Sequence, residues 1–221
     1  MGDLSEQVLH VDAHLLVVNK PAGLLCVPGR GADKQDCLAT RVQRQYADAL
    51  VVHRLDMGTS GLCVMARGPG AQRALSRAFA DREVEKRYVA VVAGRPFTPQ
   101  EDEWALIDLP IAADWPHRPL RIVDAANGKP SQTRWRILPS SASGTQWGEG
   151  NTRLELEPMT GRTHQLRVHL RAIGHPILGD ALYSPADVMA RAPRLLLHAS
   201  GLRFNHPDTG EACAFVSPAP F

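Results

Sequence analysis

The sequence predicts an α+β fold: a mixed, largely antiparallel sheet with flanking helices. Three observations lead there. Short apolar runs rich in β-branched residues recur along the 221 residues, as strands do. Three segments place apolar residues at three- and four-residue steps, as amphipathic helices do. The two kinds of segment mix without the regular β-α-β alternation of a parallel sheet. Hydrophobic residues make up 44% and charged residues 22%, ordinary for a globular protein. The length suffices for one well-cored domain or two small ones, and without repeats or a long linker residues 1–221 read as one domain.

The elements follow in order. Val8 to Asp12 and His14 to Asn19 read as strands around a turn, the second stopped by Lys20-Pro21-Ala22-Gly23. Asp36 is placed to cap a helix carrying Leu38, Val42 and Tyr46. Val51-Val52 and Leu62-Cys63-Val64-Met65 read as buried strands on either side of a polar connection. Ala71, Ala74, Leu75, Ala78 and Phe79 mark the clearest helix, whose other faces carry Arg73, Arg77 and Arg82. Arg87 to Ala93 reads as a central strand closed by Gly94. Pro96 to Asn127 is rich in proline and turn residues and is expected to wrap the surface without periodic elements. Thr133 to Leu138 and Thr152 to Glu157 read as partner strands joined by a mobile, small-residue tip from Ser140 to Gly150. Thr160 is placed to cap a further helix carrying Leu166, Leu170 and Ile173 and ending at Gly174. Leu195 to Ala199 and Cys213 to Val216 complete the strands.

The net charge of +2 neither favours nor excludes a nucleic-acid partner, because patches bind phosphate and averages do not. All but four of the 25 basic residues are arginines, the residue suited to bidentate phosphate contacts and to stacking on bases. Cys26, Cys37, Cys63 and Cys213 are scattered, which suggests neither zinc nor a disulfide framework and fits a reducing cytoplasm. The N-terminus does not read as a signal peptide, and no apolar run approaches membrane-spanning length.

The run His53-Arg54-Leu55-Asp56, followed by Met57-Gly58-Thr59-Ser60-Gly61, is the most informative segment. It lies between two core strands, where a scaffold aims side chains into a cleft. Arg54 and Asp56 are two apart, so an extended backbone puts them on one face. A guanidinium beside a carboxylate keeps it ionised, as a nucleophile must be. A surface ion pair at a strand end would use the same residues.

This run resembles, without departure, the H-R-L-D-x-x-T-S-G signature of the RluA-type pseudouridine synthases. Further segments carry the same resemblance: Val17 to Leu25, Lys86-Arg87-Tyr88-Val89-Ala90, Thr160 to His169, Gly174 to Asp180 with Tyr183, and Arg194 to Ala199. It therefore spans about Val17 to the C-terminus. It is closest to short members that act on both 23S rRNA and tRNA. No room is left for an additional N-terminal RNA-binding domain, since the signatures begin before residue 20.

The resemblance implies a single catalytic domain with Asp56, Tyr88 and Arg167 as catalytic residues. Asp56 would attack the ribose or the ring, or remove a ribose proton. Tyr88 would stack on the base, and Arg167 would pair with Asp56. Arg54, His53, Arg162, His164 and Gln165 would bind substrate, with Arg54 filling the space left by a flipped uridine. The isomerisation needs no cofactor and no metal. His164 and His169 are five apart, unlike a helical zinc pair, and read as packing or phosphate-contacting residues. The expected partners are stem-loops of 23S rRNA and tRNA, with no membrane, and the expected state is a cytoplasmic monomer. Two alternatives stand beside this: a nucleosidase or glycosidase, which would more often show two working carboxylates, and a non-catalytic RNA-binding or RNA-chaperone protein.

Overall fold

The structure, a computed structural model, describes residues 7–97, 103–139 and 150–221. Its contacts divide into two compact units, Met1–Lys86 with Ala199–Ala219 and Arg87–His198 with Pro220–Phe221.

The first unit opens with β1 (Val8–Val11), β2 (Leu15–Lys20), α1 (Leu38–Gln43), β3 (Ala49–Val51), β4 (Ser60–Arg67) and α2 (Gly68–Ala80). The chain continues through β5 (Glu85–Ala93), β6 (Ala105–Asp108), β7 (Ile111–Ala113), β8 (Arg121–Val123), β9 (Gln132–Ile137), β10 (Asn151–Pro158), α3 (Gln165–Ala172) and α4 (Ala186–Met189) of the second unit. It returns to the first along β11 (Leu197–Asn205) and β12 (Ala212–Val216).

In the first unit β2 pairs antiparallel with both β1 and β4, β3 also pairs with β4, and β12 pairs with β11. Alternate residues of β2 and β4 (Leu15, Val17, Leu62, Val64) meet Ala71 and Leu75 of α2, with Leu202 and Phe204 of β11 closing the same core. The helical periodicity of α2 is thus the imprint of this burial. Gly61 on β4 has φ of 111°, and a Cβ there would lie 2.3 Å from the Ala199 carbonyl oxygen. Only glycine lets β4 pass that close to β11.

In the second unit β10 lies between β5 and β9, and β6 pairs with the far side of β9, each pairing antiparallel. β7 and β8 form a separate hairpin.

Three expectations change. Asp36 does not cap α1. Its carboxylate holds the Arg41 guanidinium at 2.8 and 2.6 Å. The cap is Cys37, whose thiol accepts from Thr40 N–H while the Thr40 hydroxyl accepts from Cys37 N–H. Thr160 does not cap α3, which begins five residues later after His164 in the left-handed conformation, φ 58°. The Thr160 hydroxyl instead donates to Gln165 Oε1 and accepts from Gln132 N–H. The stretch from Pro96 to Asn127 contains β6, β7 and β8. Three or four residues are too few to print a period, so pairing alone reveals them. α4, one turn long, is likewise invisible to periodicity. The small-residue tip between β9 and β10 falls almost wholly outside the described residues.

Candidate active site

Asp56 sits on the connection between β3 and β4, and the first unit clamps that connection from several sides. Lys20, 0% exposed, directs its ammonium into a cage of carbonyls: Pro21 O at 2.9 Å, Leu24 O at 2.8 Å and Met57 O at 3.1 Å. A buried ammonium is tolerated where its donors are used in this way. Gly23 N–H donates to the same Met57 carbonyl at 2.8 Å. Leu55 N–H donates to the Cys26 thiol at 3.2 Å, and Thr59 N–H to Asp56 O at 3.1 Å. The backbone on both sides of Asp56 is therefore fixed. Arg54 is exposed, Leu55 is buried and Asp56 is partly exposed, the alternation expected of an extended run.

His53 turns inward. Its ring stacks on Phe79 with centroids 4.4 Å apart, and Nε2 accepts from Val64 N–H at 3.0 Å. An accepting Nε2 leaves the ring proton on Nδ1. Burial, with Lys86 nearby, pushes the imidazole pKa down to about 3, so the ring is neutral at physiological pH. His53 pins the loop to α2 and β4.

The second unit holds Tyr88, Arg162, His164, Gln165 and Arg167. Tyr88 is partly exposed on β5, opposite Leu156 of β10. Arg167 Nε and Nη2 grip Asp180 Oδ2 and Oδ1 at 2.8 and 2.6 Å, a bidentate pair with side chains only 8% and 1% exposed. Such a fork fixes orientation as well as charge. Asp180 Oδ1 also accepts from Leu182 N–H and Tyr183 N–H. The Arg167 guanidinium lies 5.0 Å from the Tyr183 ring centroid. The Tyr183 hydroxyl accepts from Arg121 N–H and lies 2.7 Å from His164 Nδ1. Gln165 spends its whole amide on the fold: Oε1 accepts from the Thr160 hydroxyl and Arg162 N–H, and Nε2 donates to Gln132 O and Thr133 Oγ1. Arg162 is partly exposed, and its Nε is buried with no hydrogen-bond partner among the described residues. His169 is buried between Thr133 Oγ1 and Leu109 O, a packing residue.

Lys20, Cys26 and Asp180 escaped the sequence reading as functional supports. Lys20 carried a signal, since it ends an apolar run that must be buried. Asp180 and Cys26 carried none beyond their motifs. Among the described residues no group of three or more His, Cys, Asp or Glu side chains could hold a metal ion, and no helix is long and apolar enough to cross a membrane.

An ionisable aspartate on a braced loop, with an exposed arginine two residues before it, fits a family already resembled by the sequence. The chain belongs to the RNA pseudouridylate synthase family, whose signature matches residues 14–172. It is an RNA pseudouridine synthase, an isomerase that modifies RNA, and neither a nucleosidase nor a non-catalytic binder. It is 49% identical over 97% of its length to the dual-specificity RNA pseudouridine synthase RluA of Escherichia coli, of which it covers 93%. The protein of that name from Yersinia pestis is 46% identical over 97% of this chain and 99% of its own. Among solved structures, human RNA pseudouridylate synthase domain containing 1 superposes with a TM-score of 0.78 at 29% identity, over 97% of this chain and 84% of that one. Human RNA pseudouridylate synthase domain containing 4 gives 0.74 at 26% identity, over 98% and 90%.

Proposed function

We propose that this synthase isomerises uridines in stem-loops of both 23S rRNA and tRNA, with Asp56 as its nucleophile or base. The bracing of the Asp56 loop carries this reading: a partly exposed carboxylate whose backbone is fixed on both sides is prepared for one geometry. The dual-specificity relatives align along nearly the whole chain, which supports two RNA substrates.

The reaction breaks the N-glycosidic bond, turns the uracil and rejoins it to C1′ through carbon five, with the proton of that carbon lost and one taken up by the ring nitrogen that left C1′. Atoms and electrons are conserved, so the chemistry needs positioning and proton transfer and no redox partner. Asp56 attacks the anomeric carbon or carbon six of the ring, or removes a ribose proton. Tyr88 offers a stacking face and Arg167 a cation that favours the charged Asp56. Arg162, with an unpartnered N–H, and His164 are proposed to contact the RNA, while His53 and Gln165 support the binding loops. The target base leaves its stack at a cost of about a few kcal/mol, and Arg54 fills the vacancy. The chain acts as one catalytic domain, in a cytoplasmic monomer.

Asp56→Asn keeps the shape of the carboxylate and removes its nucleophilicity and basicity. The expected outcome is unchanged RNA binding with no tritium release from RNA labelled at carbon five of uridine, on either a 23S rRNA fragment or a tRNA stem-loop. Release within about tenfold of the unaltered enzyme would remove Asp56 from the reaction.

A further inference from the structure

The second unit carries an exposed indole that the reaction as proposed does not use. Trp115 lies in the turn between β7 and β8 and is 67% exposed. Trp135 is buried on β9, and Trp104 is partly covered among Arg87, Arg134 and Arg136. One exposed ring is by itself unremarkable on a protein surface. Three further observations give this one a direction. First, the Arg118 guanidinium carbon lies 3.6 Å from the Trp115 ring centroid, so a cation covers one face of the indole while most of the ring stays in solvent. Arg118 is itself exposed and makes no ion pair among the described residues, and the turn's one carboxylate, Asp114, holds His117 Nδ1 at 3.0 Å. Second, the turn is closed by its own backbone. Asp114 N–H donates to Leu120 O at 3.1 Å, His117 N–H to Asp114 O at 3.2 Å and Leu120 N–H to His117 O at 3.0 Å. Third, the hairpin is seated on the residues of the candidate site. Ile111 and Leu120 pack with Val168 of α3 and with Tyr183. Arg121 N–H donates to the Tyr183 hydroxyl at 2.9 Å, and that hydroxyl lies 2.7 Å from His164 Nδ1. One packed layer thus joins the exposed ring to His164 and, through Tyr183, to Arg167.

We propose that Trp115, backed by Arg118, is a stacking platform for an unpaired base of the RNA loop, a base other than the uridine that is isomerised. Extruding the target uridine leaves its loop neighbours without a stacking partner, and an aromatic ring on the protein replaces the one that was lost. Arg118 holds the indole in one orientation from behind, and its charge favours the phosphates on either side of the stacked base. Every base has a π-face, so such a contact accepts loops of different sequence. The turn's backbone hydrogen bonds keep the ring from having to be ordered when RNA arrives. The platform rests on the reading that the substrate is an RNA stem-loop, and it is independent of the role given to Asp56.

The test combines variants of the full-length protein with an abasic scan of a tRNA stem-loop, in which each loop base other than the target is removed in turn. Equilibrium binding, KM and kcat are measured for every pair. Trp115→Ala should raise Kd and KM by about tenfold or more with kcat little changed, and Trp115→Phe, which keeps a stacking face, should restore most of the loss. One abasic position should reproduce that loss with the unaltered enzyme and cost nothing further in Trp115→Ala, because both changes remove the same contact. Unchanged affinity in Trp115→Ala would overturn the proposal. So would a loss that no abasic position cancels, or an equal loss on a blunt duplex without a loop, either of which points to backbone or protein contact instead of base stacking. A fall in kcat alone, or a loss that Trp115→Phe does not restore, would also overturn it. The binding arm needs no turnover: a stem-loop that shows this coupling but is not modified would strike the choice of substrate and leave the platform standing.

Discussion

Asp180 holds Arg167 by both nitrogens of one edge of the guanidinium, and it also accepts two backbone N–H groups. The first pair orients a side chain and the second closes a turn, so one substitution can separate them. Asn at position 180 keeps an oxygen for the turn but sets an NH2 group against Arg167. Breaking a buried pair of this kind costs about 3–5 kcal/mol, less where water enters. Asp180→Asn should therefore lower kcat much more than RNA affinity, and adding Arg167→Met should cost little more, because both remove the same oriented charge. Single-turnover rates and binding isotherms on the two single variants and the double variant measure this. Normal turnover by Arg167→Met would dismiss Arg167 from catalysis; an active Asp180→Asn beside an inactive Arg167→Met would dismiss the positioning role. Arg54 poses a different question. If it fills the space of the extruded uridine, Arg54→Ala should slow a closed hairpin far more than an RNA whose target base is already unstacked, since only the first carries the unstacking cost of a few kcal/mol, about 10²-fold in rate. Equal losses on both would leave Arg54 as an electrostatic neighbour of Asp56.

Among elements, the β3–β4 connection is held by groups from β2, the segment after it, β4 and α2. Its pH response follows from His53. The neutral ring is favoured in the folded state, with a pKa of about 3 against about 6.5 unfolded. Above pH 6.5 neither state binds a proton. As the pH falls from about 6.5 toward 3 the unfolded chain takes up a proton that the folded one refuses, so this stability is lost across that window. Asp12 adds to the loss below about pH 4. Burial raises its carboxyl, but hydrogen bonds from His10 and from His14 and Leu15 N–H outweigh this and hold it below the usual range. Urea unfolding at pH 7, 6 and 5 should show a falling midpoint, with a flatter pH response in His53→Gln at pH 5–7. A midpoint independent of pH over that range would contradict the buried neutral ring. Some elements were legible and others were not, for physical reasons. α2 and β4 each bury a regular set of side chains, so the period is written in the residues. The caps of α1 and α3 depend on which polar side chain is free, and Asp36 and Thr160 are engaged elsewhere.

For the whole molecule, arginine abundance does not translate directly into RNA contact. Arg87, Arg134 and Arg136 surround Trp104, with guanidinium carbons about 5 Å from its ring, and Glu155 and Glu157 pair with them. Arg73, Arg77 and Arg82 are exposed on and just beyond α2. If, as proposed, one Asp56 serves both RNAs, the two must compete. A tRNA stem-loop should inhibit modification of a 23S rRNA fragment competitively, with an inhibition constant equal to its own KM when chemistry is slow. Non-competitive inhibition would require a second RNA site.

Local sequence by itself determined the α+β class, most strands, α2 and the segments that carry the family resemblance, because strand and helix periods and short motifs are set by near neighbours along the chain. The motifs that carry Asp56, Tyr88 and Arg167, the proposed catalytic residues, were visible in the same way. Tertiary structure decided how those residues are supported. Lys20 reaching Met57, Cys26 reaching Leu55, His53 turning inward and Asp180 clasping Arg167 depend on burial, which makes each polar group seek a partner far away in sequence.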